Sequence, residues 1–257
     1  MAKFKFVKIS KKKKIRYLFS NTSGDIFVVF LHGFKSDLEG DKPKALYKFC
    51  KKNKIGFLAL EYSGHGKSYG KFEDGTITSW TKDTKKIIKK KLKKKKLILV
   101  GSSMGGWIGI NLFETFKKRI VGFVGIAPAP EFLEKLMWNK FTNKVKRQLI
   151  KEKFYIFNHG GFEYNISYNL IKDGRKNKIF NKIFNYKIFL TILHGKKDEV
   201  VPIFISKKIM KVFKNAEKKL IIIKNGDHSL SKKNNLKRLT SEIGKIYNKL
   251  RPSRIVG

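Results

Sequence analysis

The segment "LILVGSSMGGWIGI", Leu97–Ile110, decides the fold. Four apolar residues precede a group of two serines and three glycines, and a second apolar run follows at once. A short apolar run that ends in small residues is typical of a buried strand, and the run after them predicts a helix from about Met104 to Lys118. Within the segment, "GSSMG" matches the pattern G-x-S-x-G with Ser103 at its centre. This pattern indicates a sharp strand-to-helix turn that exposes a serine hydroxyl.

The two outer glycines of the pattern, Gly101 and Gly105, have a steric explanation. A chain that reverses from strand to helix within one residue brings the two elements too close for a Cβ atom at these positions. The start of a helix behind Ser103 also favours negative charge, which suits an oxyanion that forms beside it. A glycine-rich turn before a buried helix is the alternative explanation of this segment taken alone.

Length and composition predict one large globular domain over residues 1–257. Apolar residues make up 41% of the chain, and 22 residues are phenylalanine, so a well-buried core is expected. The single cysteine, Cys50, excludes an internal disulfide and indicates a reducing compartment. No apolar run approaches the roughly 20 residues that span a bilayer, and the N-terminus lacks the apolar block of a signal peptide. We therefore expect a cytoplasmic protein without a transmembrane segment.

The net charge of +41 raises the question of nucleic-acid binding. Only seven of the 60 basic residues are arginine, and the lysines are spread over the whole chain. Base readout and bidentate phosphate binding favour arginine, whereas lysine is a well-hydrated surface charge. The composition therefore predicts a solvated basic surface with a weak, salt-dependent attraction to polyanions or anionic lipid, and no specific nucleic-acid partner.

Strand-like and helix-like segments alternate along the chain, which predicts an α/β fold with a mostly parallel, doubly wound sheet. The opening segments "FKFVKIS" and "KIRYLFS" predict an antiparallel hairpin at the edge of that sheet. The interval from about 130 to 185 breaks the alternation and is longer than an ordinary crossover. We interpret it as a small helical cap inserted over the site that the sheet builds.

A serine hydroxyl needs a base, normally histidine, and a carboxylate that orients the base. The chain order that accompanies this turn is serine, acid, histidine. His228, in "IIIKNGDHSL", follows the last strand and is the predicted base. Asp198, in "LTILHGKKDEVVP", follows the preceding core strand and is the predicted acid, with Glu199 as the second choice. Asp227 is too close to His228 in sequence to be its natural partner.

Two backbone N–H groups are expected to stabilise an oxyanion next to Ser103: one from Met104, and one from Phe34 in the loop "FLHGFKSD". Trp107, Phe132, Met137 and Trp138 are candidates for the wall of an acyl pocket, with ordinary core packing as the alternative. No spacing of His, Cys or Asp suggests a metal site, and no cofactor is implied.

These residues together make the chain similar to the α/β-hydrolase superfamily. Within it, the chain resembles the bacterial and mitochondrial group of palmitoyl-protein thioesterases and acyl-glucuronide esterases. The resemblance implies the same three residues, Ser103, Asp198 and His228, and hydrolysis through an acyl-serine intermediate. The lysine-rich cap matches that group poorly, so its substrate preference is not transferred. The matching segments run in order from about 25 to 240: "LHGFKSD", "KALYKFCKK", "EYSGHGKSYGKFEDGTITSW", "LVGSSMGGWIG", "GIAPAPEF", "LMW", "LIKDGR", "ILHGKKDEVVP" and "KNGDHSLS".

The sequence therefore predicts a serine hydrolase that cleaves carboxylic esters or thioesters of a small or acylated substrate. An acyl-protein or acyl-CoA thioesterase is the alternative within the same chemistry. A non-catalytic polyanion-binding protein is the alternative from another class, and the complete, correctly ordered set of three residues argues against it. A peptidase of the same fold is disfavoured because no additional domain to restrict access is recognised.

Overall fold

The computed structural model describes residues 3–159 and 162–251. The strands in these ranges are β1 (Phe4–Ser10), β2 (Lys13–Ser20), β3 (Ile26–Leu31), β4 (Gly56–Leu60), β5 (Lys96–Ser102), β6 (Ile120–Ile126), β7 (Phe154–His159), β8 (Phe162–Ser167), β9 (Phe189–Gly195) and β10 (Glu217–Ile223). The α-helices are α1 (Asp41–Lys52), α2 (Ile77–Leu92), α3 (Met104–Asn111), α4 (Phe113–Phe116), α5 (Asn143–Glu152), α6 (Tyr168–Lys176), α7 (Ile203–Val212) and α8 (Lys233–Leu250).

An eight-stranded sheet in the order β1-β2-β4-β3-β5-β6-β9-β10 forms the centre of the molecule. From β4 to β10 every neighbouring pair is parallel, while β1 with β2 and β2 with β4 are antiparallel. The mostly parallel α/β sheet and the N-terminal hairpin at its edge are thus confirmed.

The central strands are apolar along their whole length because both faces of the sheet are covered. Every residue of β3 and β4 is buried. On one face the strands pack against α1 and α8, with Leu46, Cys50 and Ile243 in the core. On the other face they pack against α2, α3 and α7, with Trp80, Trp107 and Ile205 in the core.

The predicted helix from Met104 to Lys118 is interrupted. The N–H of Leu112 is shared between the carbonyls of Ile108 and Gly109, both at 3.2 Å, so the helix tightens where α3 ends. The short helix α4 follows, and Lys117, with φ of 33°, ends it. Helical structure therefore covers most of the predicted range, with a break at Leu112 between α3 and α4.

The insertion between β6 and β9 is not purely helical, which corrects the predicted helical cap. It contains α5 and α6, but β7 and β8 pair in register between them as an antiparallel hairpin. The pairs Tyr155 with Ile166 and Phe157 with Tyr164 show why. β7 begins with a run of aromatic and β-branched residues, and β8 alternates apolar with polar residues; both patterns favour strands.

Candidate active site

The residues predicted to carry chemistry lie at one edge of the sheet. Phe34 follows β3, Ser103 follows β5, Asp198 follows β9 and His228 follows β10. These four strands are parallel, so their carboxyl ends meet at the same edge. Ligands of open α/β sheets bind outside that edge. The topology therefore gathers residues that are up to about 200 positions apart in the chain.

The turn at Ser103 is strained. Its backbone has φ of 51° and ψ of −118°, a conformation that costs roughly 1–3 kcal/mol for a residue with a side chain. Backbone hydrogen bonds hold it: its N–H donates to the carbonyl of Ile126 at 2.9 Å, and its carbonyl accepts from the N–H of Ala129 at 3.0 Å. The turn is thereby fixed to the end of β6 and to the loop that follows.

The predicted steric role of the two glycines is confirmed by the backbone geometry. A Cβ atom on Gly105 would lie 2.1 Å from the carbonyl oxygen of Leu31. A Cβ atom on Gly101 would lie 2.6 Å from the carbonyl oxygen of Gly105. Both distances are far below van der Waals contact, so only glycine permits this approach of strand and helix.

The three polar side chains predicted to act together form a hydrogen-bonded chain. Nε2 of His228 lies 3.1 Å from Oγ of Ser103, and Nδ1 of His228 lies 2.8 Å from Oδ2 of Asp198. Because an ionised carboxylate only accepts, Nδ1 carries the proton and Nε2 is free to accept from the serine hydroxyl. The imidazole is thus held in the tautomer that a general base for Ser103 requires.

Four donors surround the carboxylate of Asp198. Its Oδ1 accepts from the N–H groups of Val200 at 2.9 Å and Val201 at 2.8 Å. Its Oδ2 lies 2.8 Å from Nδ1 of His228 and 3.2 Å from Nε2 of His194. Burial opposes ionisation of this carboxyl, but the hydrogen bonds from His194 and His228 outweigh it and hold the pKa of Asp198 well below its usual range.

His194 is a residue of this site that the sequence reasoning missed. It is fully buried at the end of β9, and its Nε2 also lies 2.8 Å from the carbonyl of Val201. A carbonyl only accepts, so Nε2 carries the proton, and Nδ1 accepts from the hydroxyl of Ser206 at 2.7 Å. The signal was present: in "ILHGKKD" this histidine ends a buried strand four residues before Asp198.

The loop after β3 lies against the turn at Ser103. A Cβ atom on Gly33 would lie 3.5 Å from Cβ of Ser103, and the next residue, Phe34, lines the same cavity as the serine. The buried carboxylate of Glu61 fixes the far side of this loop, because its Oε1 accepts from the N–H of Leu38 at 3.3 Å and from Nη1 of Arg16 at 3.1 Å. Met104 begins α3 immediately after the serine.

A cavity of about 550 Å³ opens over Ser103 and His228. Its apolar wall comes partly from the loop after β3 and mainly from the cap. Phe132 and Met137, two of the predicted pocket residues, line it. The sequence reasoning missed three further residues of this wall: Leu136, Phe157 and Tyr164. For the last two a strand signal was present, in the run "FYIF" and in the apolar–polar alternation of "FEYNI".

The other two predicted pocket residues, Trp107 and Trp138, do not line the cavity. The indole of Trp107 is fully buried beneath the cap, where its N–H donates to the carbonyl of Asn177 at 2.8 Å. The indole of Trp138 faces the guanidinium of Arg175, 4.8 Å from the ring centre. Trp107 therefore fastens the cap to the core, and Trp138 packs within the cap.

The family model Hydrolase_4, described as "Serine aminopeptidase, S33", matches residues 23–159, just over half of the chain. The chain belongs to this hydrolase family. The match spans the loop with Phe34, the turn at Ser103 and the first half of the cap.

Relatives of this hydrolase support the same assignment. It is 29% identical over 226 residues to the bovine (Bos taurus) palmitoyl-protein thioesterase ABHD10, mitochondrial, covering 87% of the chain and 73% of the relative. A crystal structure of a hydrolase from Agrobacterium vitis S4 superposes with a TM-score of 0.88 at 27% identity, over 96% and 98% of the two chains. Mouse α/β hydrolase domain-containing protein 10 superposes with a TM-score of 0.87 at 24% identity, over 97% and 100%. The protein is an α/β-hydrolase.

Across 3–159 and 162–251, no helix combines the length and apolarity that crossing a bilayer requires. Over the same ranges, no three His, Cys, Asp or Glu side chains are grouped so that they could hold a metal ion.

Proposed function

We propose that this hydrolase cleaves carboxylic esters or thioesters through an acyl-serine intermediate, with Ser103 as nucleophile, His228 as base and Asp198 as the orienting acid. The hydrogen-bonded chain from Ser103 Oγ to His228 Nε2, 3.1 Å, and from His228 Nδ1 to Asp198 Oδ2, 2.8 Å, carries this proposal. It opens into a cavity with an apolar wall, which suits an acyl group.

The mechanism has two halves. His228 takes the proton of Ser103 as its oxygen attacks the acyl carbonyl, and the N–H groups of Phe34 and Met104 stabilise the oxyanion. The tetrahedral intermediate collapses, and His228 gives its proton to the leaving alcohol or thiol. Water, activated by the same imidazole, then attacks the acyl-serine and releases the acid and the free enzyme.

Within this chemistry, an acyl-protein or acyl-CoA thioesterase is the alternative, and the names of the relatives favour a thioesterase. Several mammalian relatives carry the name palmitoyl-protein thioesterase. The turnover of acyl-proteins and of acyl-CoA, both thioesters, is therefore to be compared with the turnover of simple esters. The phosphates of acyl-CoA would also benefit from the basic surface, so its turnover should fall with added salt while that of a neutral thioester should not.

The proposal also covers the domain organisation and the cellular compartment of the protein. We infer one domain over 1–257 in which residues 130–185 cap the site, and a cytoplasmic protein. Buried Cys50, the only cysteine of the chain, supports a reducing compartment. The mammalian relatives are named mitochondrial, so fractionation of the source cells decides between the two compartments.

The deciding experiment compares Ser103→Ala with Ser23→Ala, which changes an exposed serine in the loop before β3. We expect Ser103→Ala to lose p-nitrophenyl ester turnover by at least about 10³-fold and to lose fluorophosphonate labelling, while Ser23→Ala keeps both. Full turnover by Ser103→Ala would exclude the mechanism. Peptide anilides are tested in the same assay to measure aminopeptidase activity. Salt-dependent binding of polyanions, without turnover of any substrate, would favour the non-catalytic alternative.

A further inference from the structure

One side of the cavity entrance combines exposed apolar side chains with lysines. Val200 lines the cavity and is 41% exposed, and Phe204, in the first turn of α7, is 48% exposed. Lys207 and Lys208 are exposed on the same helix, and Phe180 of the cap is half-buried beside them. We call these five residues the entrance face.

A row of contacts between lysines and aromatic rings connects α7 with the cap. Nζ of Lys208 lies 5.2 Å from the ring centre of Phe204 and 6.0 Å from that of Phe180. Lys135 of the cap continues the face, with Nζ 4.3 Å from the ring of Phe180. Its neighbour Leu136 lines the cavity again. The apolar groups and their lysines thus border the cavity on the side of α7.

The charge of this surface is positive. Besides the lysines of the entrance face, Lys140 is exposed and lines the cavity. Acidic residues also line the cavity: Asp41 and Glu199 are exposed, and Asp37 is half-buried. Glu131 is buried, with its carboxylate 3.1 Å from Nζ of Lys135. Asp37 and Asp41 belong to the loop after β3 and the start of α1, whereas on the side of α7 the lysines outnumber Glu199, so this side complements a negatively charged partner.

We propose that the entrance face docks on the surface of an anionic lipid bilayer. Phe204 and Val200 enter the headgroup region, and the lysines extend their charges to lipid phosphates while their methylene stems cover the aromatic rings. The cavity then faces the membrane, and an acyl chain passes from the bilayer to Ser103 without crossing water.

A lipid surface fits this face better than nucleic acid does. Its cations are lysines, which act as hydrated point charges, whereas nucleic-acid sites favour the planar guanidinium of arginine. The delivery of an acyl chain to Ser103 rests on the proposed function. Membrane docking itself requires no catalysis and is measured as vesicle binding.

The test is co-sedimentation with vesicles of phosphatidylcholine, with and without phosphatidylglycerol, using Ser103→Ala as the parent so that no substrate is consumed. We expect binding only to the anionic vesicles. Phe204→Ser should weaken it about fivefold, and Lys207→Gln/Lys208→Gln about tenfold or more. The matched controls Phe6→Ser, on the far edge strand β1 with a side chain 53% exposed, and Lys11→Gln/Lys12→Gln, in the turn after it, should bind within twofold of the parent.

Three results would overturn docking. Equal weakening of vesicle binding by the controls and the variants would reveal general attraction by the basic chain. Unchanged vesicle binding by Phe204→Ser would exclude the apolar part of the docking. Loss of binding to a DNA duplex by the variants, with vesicle binding retained, would assign the face to nucleic acid. A folding control uses Phe204→Ser with Ser103 intact: turnover of a water-soluble acetate ester shows that this variant is folded. If the wild type proved inactive but bound anionic vesicles selectively, only the proposed function would be rejected.

Discussion

His194 Nε2 donates to both Oδ2 of Asp198, at 3.2 Å, and the carbonyl of Val201, at 2.8 Å. It therefore holds the same carboxylate oxygen that accepts from Nδ1 of His228. His194 touches neither the cavity nor Ser103, so it is a positioning residue. Outer hydrogen-bond partners of this kind typically contribute 10–100-fold to activity at metal sites, and we expect a similar scale here.

His194→Phe should lower kcat roughly 10–100-fold and leave KM within about twofold, because the substrate cavity is unchanged. His194→Gln keeps an N–H donor and should recover part of kcat. The control is Ser206→Ala, which removes the partner of Nδ1 but leaves the Nε2 proton in place. It should cost about 1 kcal/mol of stability with little loss of kcat. Equal losses of kcat in His194→Phe and Ser206→Ala at matched stability would refute the positioning role.

Asp198→Asn should lower kcat on the order of 10⁴-fold, the scale known for the same change in another serine hydrolase. The asparagine amide can donate to Nδ1 of His228 and so favours the wrong tautomer. Glu199→Gln is the matched variant, since Glu199 is the neighbouring carboxylate and is exposed. It should change kcat less than tenfold. Steady-state kinetics on a p-nitrophenyl ester distinguish the two, and a larger loss in Glu199→Gln would identify that residue as the acid.

Gly105→Ala should prevent the turn at Ser103 from forming. The added Cβ would lie 2.1 Å from the carbonyl oxygen of Leu31, a backbone atom that the sheet holds in place. We expect a loss of stability of more than about 3 kcal/mol, or no folded protein. In Gly24→Ala the new Cβ would meet only Thr22, at 3.7 Å, so urea unfolding of this variant should be nearly unchanged. A Gly105→Ala protein as stable as wild type would disprove the steric explanation.

Stability should fall below neutral pH because of His65. Burial lowers the pKa of His65 from 6.5 to about 4, although a hydrogen bond to the carbonyl of Ser63 opposes the shift. Between pH 6.5 and 4 the unfolded chain binds a proton that the folded chain does not, so the free energy of unfolding decreases as pH falls. For this residue alone the loss from pH 7 to 5 is about 2 kcal/mol.

His65→Phe keeps an aromatic ring among Tyr62, Phe72 and Trp80 and removes the titrating group. Urea unfolding at pH 7 and pH 5 should therefore show a smaller loss of stability in the variant than in wild type. Identical losses in both proteins would show that His65 does not cause the pH dependence.

Much of the fold and of the candidate site follows from local sequence patterns. A fully apolar run such as β3 must be buried on both sides, and the small residues around Ser103 permit only a sharp strand-to-helix turn. The chain order of Ser103, Asp198 and His228, each following a strand of the parallel part of the sheet, predicted their meeting, because parallel strands end at one edge.

The tertiary structure alone decided the features that depend on distant partners. Trp107 became an anchor of the cap because the carbonyl of Asn177 lies above it, and β7 became a strand because β8 pairs with it. His194 joined the site because the chain after β9 turns back and brings Val201 and Asp198 to its ring. Local patterns fix which residues are buried and where the chain turns, whereas the partner of each buried polar group depends on long-range packing.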